Sequence, residues 1–222
     1  MLEFILGKPY SDKSKYMQKQ ALKAAAADPF APVWYFVPEQ YTLQMQRQLL
    51  AQNDKKGLLN LEVLSFNRLV YRLQNELPAA GKLALKGSGR TALIYRLLEE
   101  GKDRFPLLAA KRKSHAFIQN LAKQATECYQ YQMTPEKLRQ IAGQISGELL
   151  RDKTAELAEF LLAYRAALKK EYFAVEAALE EVCSLLRRLP LSGTEIFVDG
   201  FYGFVPIQLE ILSILKERAK AV

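Results

Sequence analysis

The sequence predicts an α/β fold in which a parallel sheet is interrupted by a large, entirely helical insertion. Three apolar segments in the first third of the 222-residue chain each lead directly into an amphipathic segment, the pattern of strand-then-helix units joined by right-handed crossovers. A long stretch of helical periodicity follows. A last apolar strand then returns near the C-terminus, and we expect the sheet to resume there.

The predicted strands are nearly all apolar, as expected when helices cover both faces of a sheet. They are EFILGK (3–8), VWYFVP (33–38), LEVLSF (61–66) and the returning TEIFVDGF (194–201), and the first three lead to helices near 13–27, 40–52 and 66–77. The predicted organisation is a first part of the sheet domain in residues 1–89, a helical insertion in 90–189 and the second part of the sheet domain in 190–222.

Within the predicted insertion, apolar residues recur at helical spacing and no segment is convincing as a strand. Segments such as TALIYRLLEE and TAELAEFLLAYRAALKKEY show this spacing. Thr134 followed by Pro135 marks one helix start, because a hydroxyl caps the first turn and proline is tolerated at its first position.

Composition limits the functional classes. Half of the residues are hydrophobic, but no apolar run approaches the roughly 18 residues that span a bilayer, so we expect a cytoplasmic protein without a membrane partner. Cys128 and Cys183 have no CxxC spacing and His115 is the only histidine, so we interpret both thiols as core residues and expect no metal site. A net charge of +8 favours polyanionic partners such as nucleic acids.

The first strand leads into a loop that resembles a phosphate-binding loop with one residue changed. In the pattern G-x-x-x-x-G-K-[ST], Gly7 takes the first glycine position, and Lys13 and Ser14 take the Lys-Ser pair, but Asp12 replaces the second glycine. Such loops bind phosphate through inward-pointing backbone N–H groups. The spacing therefore indicates a nucleotide site, and the substitution indicates that the site is degenerate.

The returning strand supplies a possible second half of that site. It ends in Val198-Asp199-Gly200, and in phosphate-loop NTPases an aspartate at the end of such a strand holds Mg²⁺, with a neighbouring glutamate in many of them activating water. The aspartate is present and the glutamate is not. Alone, Asp-Gly after a strand indicates a simple turn, but together with Lys13 and Ser14 it favours an ancestral NTPase.

Three substitutions in the loop oppose phosphate binding. Pro9 removes an N–H donor, Tyr10 adds bulk, and Asp12 places a carboxylate where phosphate charge would lie. Like charges about 4 Å apart at an effective dielectric constant near 20 repel by roughly 4 kcal/mol. Lys13 has the Asp12 carboxylate as an alternative partner. We therefore expect ATP and Mg²⁺ to bind weakly or not at all, and we assign no catalytic residue.

Several segments together resemble a known family. FILGKPYSDKS, YFVPEQYTLQMQRQLL, LEVLSFNRLVYRLQ and EIFVDGFYGFVPIQLEIL occur in this order and are similar to the N-terminal helicase-like region of the AddB/RexB-type subunit of the bacterial ATP-dependent helicase-nuclease. That family is related to UvrD-like superfamily 1 helicases. The resemblance implies a RecA-like parallel sheet (the P-loop NTPase fold) with a helical insertion before the acidic strand.

The resemblance also implies a role and partners. The resemblance implies a complex that acts in double-strand-break repair. In it, the AddB/RexB-type subunit is similar to a helicase that has lost its motor role, while an AddA/RexA-type helicase-nuclease subunit translocates along DNA. Its helicase-like half reads the hotspot sequence Chi in single-stranded DNA, so single-stranded and duplex DNA are the expected partners. The family's nuclease domain, with an iron–sulfur cluster, lies near the C-terminus of a much longer chain and has no counterpart here, which indicates an N-terminal fragment.

The resemblance assigns DNA contacts to segments that follow the second, third and returning strands. The matching positions are Gln40, Thr42, Phe66, Arg68 and Tyr71, with Phe201 or Phe204 from VDGFYGF. Amides and hydroxyls suit base edges, aromatic rings stack on bases, and arginine pairs with phosphate or guanine. For each residue the alternative is structural: Phe66 and Tyr71 as core residues and Arg68 as a solvated charge.

Three functional classes therefore remain open from the sequence. The first is a motor-inactive, DNA-binding helicase-like module; the second is an active phosphate-loop ATPase or kinase that tolerates Asp12. The third is a scaffold that docks the AddA/RexA-type partner while DNA is held elsewhere. Nucleotide titration separates the first two, and single-strand binding separates the first from the third.

Overall fold

The computed structural model describes residues 2–8, 10–53, 57, 59–74 and 82–222. The chain is mixed α/β, with a small parallel sheet and mostly helices. It divides into two compact units: the sheet unit, formed by residues 1–77 with 181–222, and the helical unit, formed by residues 78–180. The finer interpretation of 90–189 as an insertion into a RecA-like sheet domain stays a prediction.

The elements follow one another in this order along the chain. The helices are α1 (Lys13–Ala27), α2 (Thr42–Ala51), α3 (Phe66–Arg72), α4 (Gly87–Glu100), α5 (Pro106–Ala110), α6 (His115–Gln130), α7 (Pro135–Gln144), α8 (Glu148–Glu171), α9 (Val175–Leu186) and α10 (Pro206–Arg218). The strands are β1 (Val33–Phe36), β2 (Leu61–Leu64), β3 (Leu83–Ala84), β4 (Tyr172–Phe173) and β5 (Glu195–Val198), and a 3₁₀ turn (Glu39–Tyr41) precedes α2. Helix α3 begins where predicted and ends at Arg72, earlier than the predicted end near 77, which itself lies outside the described residues.

The sheet of the sheet unit has the order β2-β1-β5, and both neighbours run parallel to β1. Val33 is in register with Leu61 on one side and with Glu195 on the other. The prediction that the returning strand rejoins the strand VWYFVP is therefore confirmed. Side chains alternate between the two sheet faces. Tyr35 lies on the face whose core includes residues of α1 and α2.

The first predicted strand is wrong in this structure. Residues 2–8 form no strand, and the side chains of Phe4 and Leu6 are 73% and 89% exposed. A strand forms only where its backbone can hydrogen-bond to a neighbouring strand. The open edge of β5 is occupied by the C-terminal residues, because Ala221 forms a parallel bridge with Glu195. The segment 2–8 is linked to this edge by a backbone hydrogen bond, in which the Glu3 N–H donates to the Val222 carbonyl at 2.9 Å.

The helical unit has its own apolar core, to which α4, α6 and α8 contribute most of the buried residues. The expectation that residues 90–189 contain no strand is wrong in one detail, because β4 pairs in parallel with β3 over two residues. The predicted start of α7 is confirmed: the Thr134 hydroxyl accepts the Lys137 N–H, and Pro135 occupies the first turn. No helix among the described residues is long and apolar enough to cross a membrane.

An ion pair joins two helices of the helical unit away from most solvent. Arg90 on α4 lies 2.7 Å from the Glu176 carboxylate on α9, and the Glu176 side chain is 8% exposed.

The predicted core thiols Cys128 and Cys183 are both buried. Within the described parts of the chain, no group of three or more His, Cys, Asp and Glu side chains is arranged to hold a metal ion.

Candidate functional site

The loop before α1 is held together by Lys13, the first residue of that helix. The Lys13 ammonium donates to the backbone carbonyls of Gly7 at 3.1 Å and Lys8 at 2.8 Å, and it lies 3.4 Å from the Ser11 hydroxyl. A Cβ at Gly7 would come within 2.5 Å of the Ser11 hydroxyl oxygen, so a larger residue there would require the Ser11 side chain to move. Pro9 lies outside the described residues. The lysine therefore already uses the loop's own oxygens as partners.

Asp12 occupies the position of the missing glycine in a glycine-like conformation. Its φ is 53°, in the left-handed region, and Tyr10 has a φ of 63°. Aspartate adopts this conformation more readily than most residues, although glycine does so without cost. The expected pairing of Asp12 with Lys13 is wrong, because the Asp12 carboxylate lies 4.0 Å from the ammonium of Lys15 instead. Lys13 is turned into the loop.

The two halves of the sequence-predicted nucleotide site do meet. The Ser14 hydroxyl, in the first turn of α1, donates to one oxygen of Asp199 at 3.0 Å. The buried Tyr35 hydroxyl donates to the other oxygen at 2.9 Å. Burial and the neighbouring carboxylate raise the pKa of Tyr35 far above its ordinary value, so this hydroxyl keeps its proton. Each oxygen of Asp199 thus has a hydroxyl donor.

The segments after β1, β2 and β5 meet in an aromatic cluster, defined here as Phe36, Phe66, Phe201 and Phe204. The Phe66 ring centre lies 5.5 Å from that of Phe36, 5.6 Å from Phe201 and 6.4 Å from Phe204. Phe66 is only 4% exposed, whereas Phe201 and Phe204 are half-buried. Phe66 therefore packs as a core residue here, and a base would reach its ring only after the cluster opened.

A polar link lies beside this cluster. The Glu39 carboxylate accepts the Ser65 hydroxyl and lies 3.6 Å from the Arg68 guanidinium. The Arg68 side chain is 40% exposed, and an ion pair at that exposure contributes only about 0–1 kcal/mol. Thr42 is buried and donates its hydroxyl to the Glu39 carbonyl at 2.9 Å. Arg68 is thus positioned by Glu39 but remains accessible, whereas Thr42 is engaged locally.

A groove of about 520 Å³ runs along β2, which is an edge strand of the three-stranded sheet. Arg68 and Tyr71 line it together with Gln46 and Leu50 of α2. Tyr71 is 48% exposed, and Gln40 is exposed on the 3₁₀ turn before α2. Of the DNA-contact residues that the resemblance assigns, the exposed or partly exposed ones are therefore Gln40, Arg68, Tyr71, Phe201 and Phe204.

Sequence reasoning assigned no role to Tyr35 or Tyr202, and it placed Glu39 only in the segment along the expected DNA path, without its anchoring contacts. Tyr202, between Phe201 and Phe204, is fully exposed, so its ring is open to solvent beside the aromatic cluster. Glu39 anchors both Ser65 and Arg68, and Tyr35 holds Asp199. Only Tyr202 had a local signal, as a third aromatic residue within VDGFYGF. The other two make contacts across many residues of sequence, which no local pattern reveals.

Comparison with known proteins places the chain in a family. Residues 4–222 match the family described as "ADDB, N-terminal". The chain belongs to the AddB N-terminal family. The resemblance inferred from the sequence is thereby confirmed.

Curated relatives of this AddB N-terminal chain are each called the B subunit of an ATP-dependent helicase/deoxyribonuclease. Those of Carboxydothermus hydrogenoformans, Ruminiclostridium cellulolyticum and Lachnoclostridium phytofermentans are 31%, 30% and 29% identical to it, and each match covers 100% of the chain. The same matches cover 20%, 19% and 19% of the relatives. The chain therefore spans about a fifth of the length of these proteins.

Proposed function

We propose that this chain is a motor-inactive helicase-like module of a double-strand-break repair helicase–nuclease, that it binds single-stranded DNA, and that it contributes to Chi recognition. The observation that carries the proposal is the meeting of the segments that follow β1, β2 and β5. In parallel sheets, ligand sites lie at the carboxyl ends of the strands. At that end the aromatic cluster lies beside the partly exposed Arg68, while Tyr202 extends from it into solvent.

The fold that we propose for the sheet unit is RecA-like, with the helical unit as an insertion. Two observations support it. Helix-connected strands pair in parallel around β1, and Ser14 after the opening loop reaches Asp199 at the end of β5. By analogy with the relatives, which are named as one subunit of a helicase/deoxyribonuclease, the partners would be an AddA/RexA-type subunit together with single-stranded and duplex DNA, in the cytoplasm. Any iron–sulfur cluster would belong to a part of the protein outside these residues.

The motor-inactive part of the proposal rests on the loop. Asp12 stands at the glycine position, and Lys13 is bonded to loop carbonyls. An active ATPase is the second candidate, because the contact between Ser14 and Asp199 is one that a magnesium-nucleotide site would use. Calorimetry with Mg-ATP distinguishes the two. Micromolar affinity together with hydrolysis would favour the ATPase.

Changing Asp12 to glycine is expected to strengthen ATP binding. The substitution removes a negative charge from the loop and places glycine where φ is 53°, a backbone conformation that glycine adopts without strain. We expect Asp12→Gly to keep or slightly raise the melting temperature and to bind Mg-ATP more tightly in calorimetry. A matched control is Asp103→Gly, which removes an acidic residue from the helical unit. Equal affinities of the parent chain and Asp12→Gly would show that the carboxylate is not the obstacle.

The DNA-binding proposal is tested with Arg68→Ala in the two-subunit complex, formed by an AddA/RexA-type protein and an AddB-type protein that carries this chain. If Arg68 contacts phosphate, the variant should bind all single-stranded sequences more weakly, and the slope of log affinity against log salt should fall by about one. If Arg68 contacts guanine, discrimination should be lost at one base. Fluorescence anisotropy with Chi and scrambled oligonucleotides measures both.

Arg96→Ala is the matched control for Arg68→Ala, since Arg96 is 44% exposed and lies 3.4 Å from the Glu171 carboxylate.

Tyr202→Ala adds an independent test of the same surface. If one base stacks on the Tyr202 ring, Tyr202→Ala should weaken single-stranded DNA binding by about 1–3 kcal/mol and should leave the melting temperature of the protein unchanged. If Arg68→Ala and Tyr202→Ala both bind DNA and respond to Chi like the parent, the DNA-path assignment is wrong and the scaffold alternative is favoured.

A further inference from the structure

We propose that Ser14, Asp199 and Tyr35 form a hydrogen-bonded clasp that holds the Asp199 carboxylate without a divalent cation. The two hydroxyls donate to different oxygens of the carboxylate, at 3.0 Å from Ser14 and 2.9 Å from Tyr35. The clasp joins the first turn of α1 to β1 and to the end of β5. The spacing of the opening loop and of Asp199 predicts a magnesium-nucleotide site here, and the clasp is where the structure departs from such a site.

Tyr35 is fixed in place and cannot readily turn away from the carboxylate. It is 0% exposed, belongs to the apolar core between the sheet and helices α1 and α2, and its ring stacks on Phe197 with centres 5.9 Å apart. A buried hydroxyl without an acceptor would cost free energy, so Tyr35 needs Asp199 as its partner.

Asp199 is held from its backbone as well. Its N–H donates to the Phe36 carbonyl at 2.9 Å, in continuation of the sheet ladder. Gly200 then turns the chain with a φ of 76°, a conformation that suits glycine. The carboxylate therefore has little freedom to move toward a ligand, and its position is set by the sheet, by Tyr35 and by Ser14.

A hydrated Mg²⁺ does not fit this arrangement well. Magnesium is bound by carboxylates together with water and substrate phosphates. The Ser14 hydroxyl beside Asp199 is a contact that a magnesium site would share, whereas the Tyr35 hydroxyl, buried in the core, is a second donor to the carboxylate. Each carboxylate oxygen has two lone pairs, and Tyr35 occupies one of those on its oxygen, so a metal or its water has to compete with this fixed donor. The structure thus predicts that removing this one hydroxyl opens the carboxylate to a cation.

Binding of Mn²⁺, followed by electron paramagnetic resonance on the purified chain without nucleotide, tests the clasp. We expect no saturable Mn²⁺ binding to the parent at Asp199. Tyr35→Phe removes only the hydroxyl and should bind one Mn²⁺ at least about tenfold more tightly than the parent. Adding Asp199→Asn to Tyr35→Phe should abolish that binding, and the control Tyr95→Phe, on an exposed tyrosine of α4, should behave like the parent.

Melting curves provide a second measurement that does not depend on gaining a metal site. Asp199→Asn and Ser14→Ala should lower the melting temperature equally in excess EDTA and in excess Mg²⁺, because the clasp works without metal. Mn²⁺ binding to the parent that Asp199→Asn removes would overturn the inference. So would a Tyr35→Phe variant that melts like the parent and binds no Mn²⁺.

This inference rests on the motor-inactive part of the proposed function but is tested separately from it. Asp199-dependent Mn²⁺ binding without ATP hydrolysis would overturn the clasp and leave motor inactivity standing. ATP hydrolysis by the parent would overturn the motor-inactive assignment whatever the metal result. DNA binding by Arg68 and Tyr202 is independent of both outcomes.

Discussion

Replacing Phe66 with alanine is expected to lower the free energy of unfolding by about 3–5 kcal/mol, the range for removing a buried aromatic side chain. Phe66 is 4% exposed, and its ring contacts Phe36, Phe201 and Phe204. The substitution would leave a cavity where three segments at the end of the sheet meet. Urea denaturation, which gives the free energy of unfolding directly, is the measurement.

Phe66→Leu is the matched variant, because it retains most of the apolar volume and should lose much less stability. DNA binding by Phe66→Leu then separates packing from stacking. Loss of affinity in a stable Phe66→Leu would indicate that the ring itself meets a base. If Phe66→Ala loses less than about 1 kcal/mol, the ring is not the packed centre of this cluster.

Replacing Glu176 with alanine is expected to lower the free energy of unfolding by about 3 kcal/mol, because it leaves the Arg90 guanidinium without its charge partner in a mostly buried place. The two groups are 2.7 Å apart, and their side chains are 25% and 8% exposed. Arg90 also lies 3.3 Å from the Thr126 hydroxyl on α6, so the pair connects three helices of the helical unit. Thermal and urea denaturation measure the loss.

An exposed pair of the same unit serves as the control. Glu171 lies 3.4 Å from Arg96, with side chains 40% and 44% exposed, and Glu171→Ala should change stability by less than about 1 kcal/mol. The double variant Arg90→Met with Glu176→Leu should recover much of the stability lost by Glu176→Ala, since it leaves no unpaired charge. Equal losses for Glu176→Ala and Glu171→Ala would mean that burial does not distinguish the two pairs.

Features that depend on neighbours along the chain could be predicted from the sequence. Helix α1 occupies the predicted range 13–27, and α7 begins at the predicted Thr134-Pro135 signal. Helical periodicity and capping act within a few residues, so they can be read locally. The parallel pairing of VWYFVP with LEVLSF and TEIFVDGF also followed from the sequence, because apolar strands separated by helices have few ways to pair.

Features that depend on distant partners became visible only in the folded chain. The segment EFILGK has the composition of a strand, yet it forms none, because strand formation requires a neighbouring ladder as well as suitable residues. The aromatic residue in LSFNRL suggested a stacking surface, but whether Phe66 faces DNA or the core depended on where Phe201 and Phe204 lie. Tyr35 and Asp199 are 164 positions apart, and their hydrogen bond exists only because β1 and β5 are neighbours in the sheet. Contacts of this kind are set by the packing of whole elements, and a local pattern of residues contains no information about them.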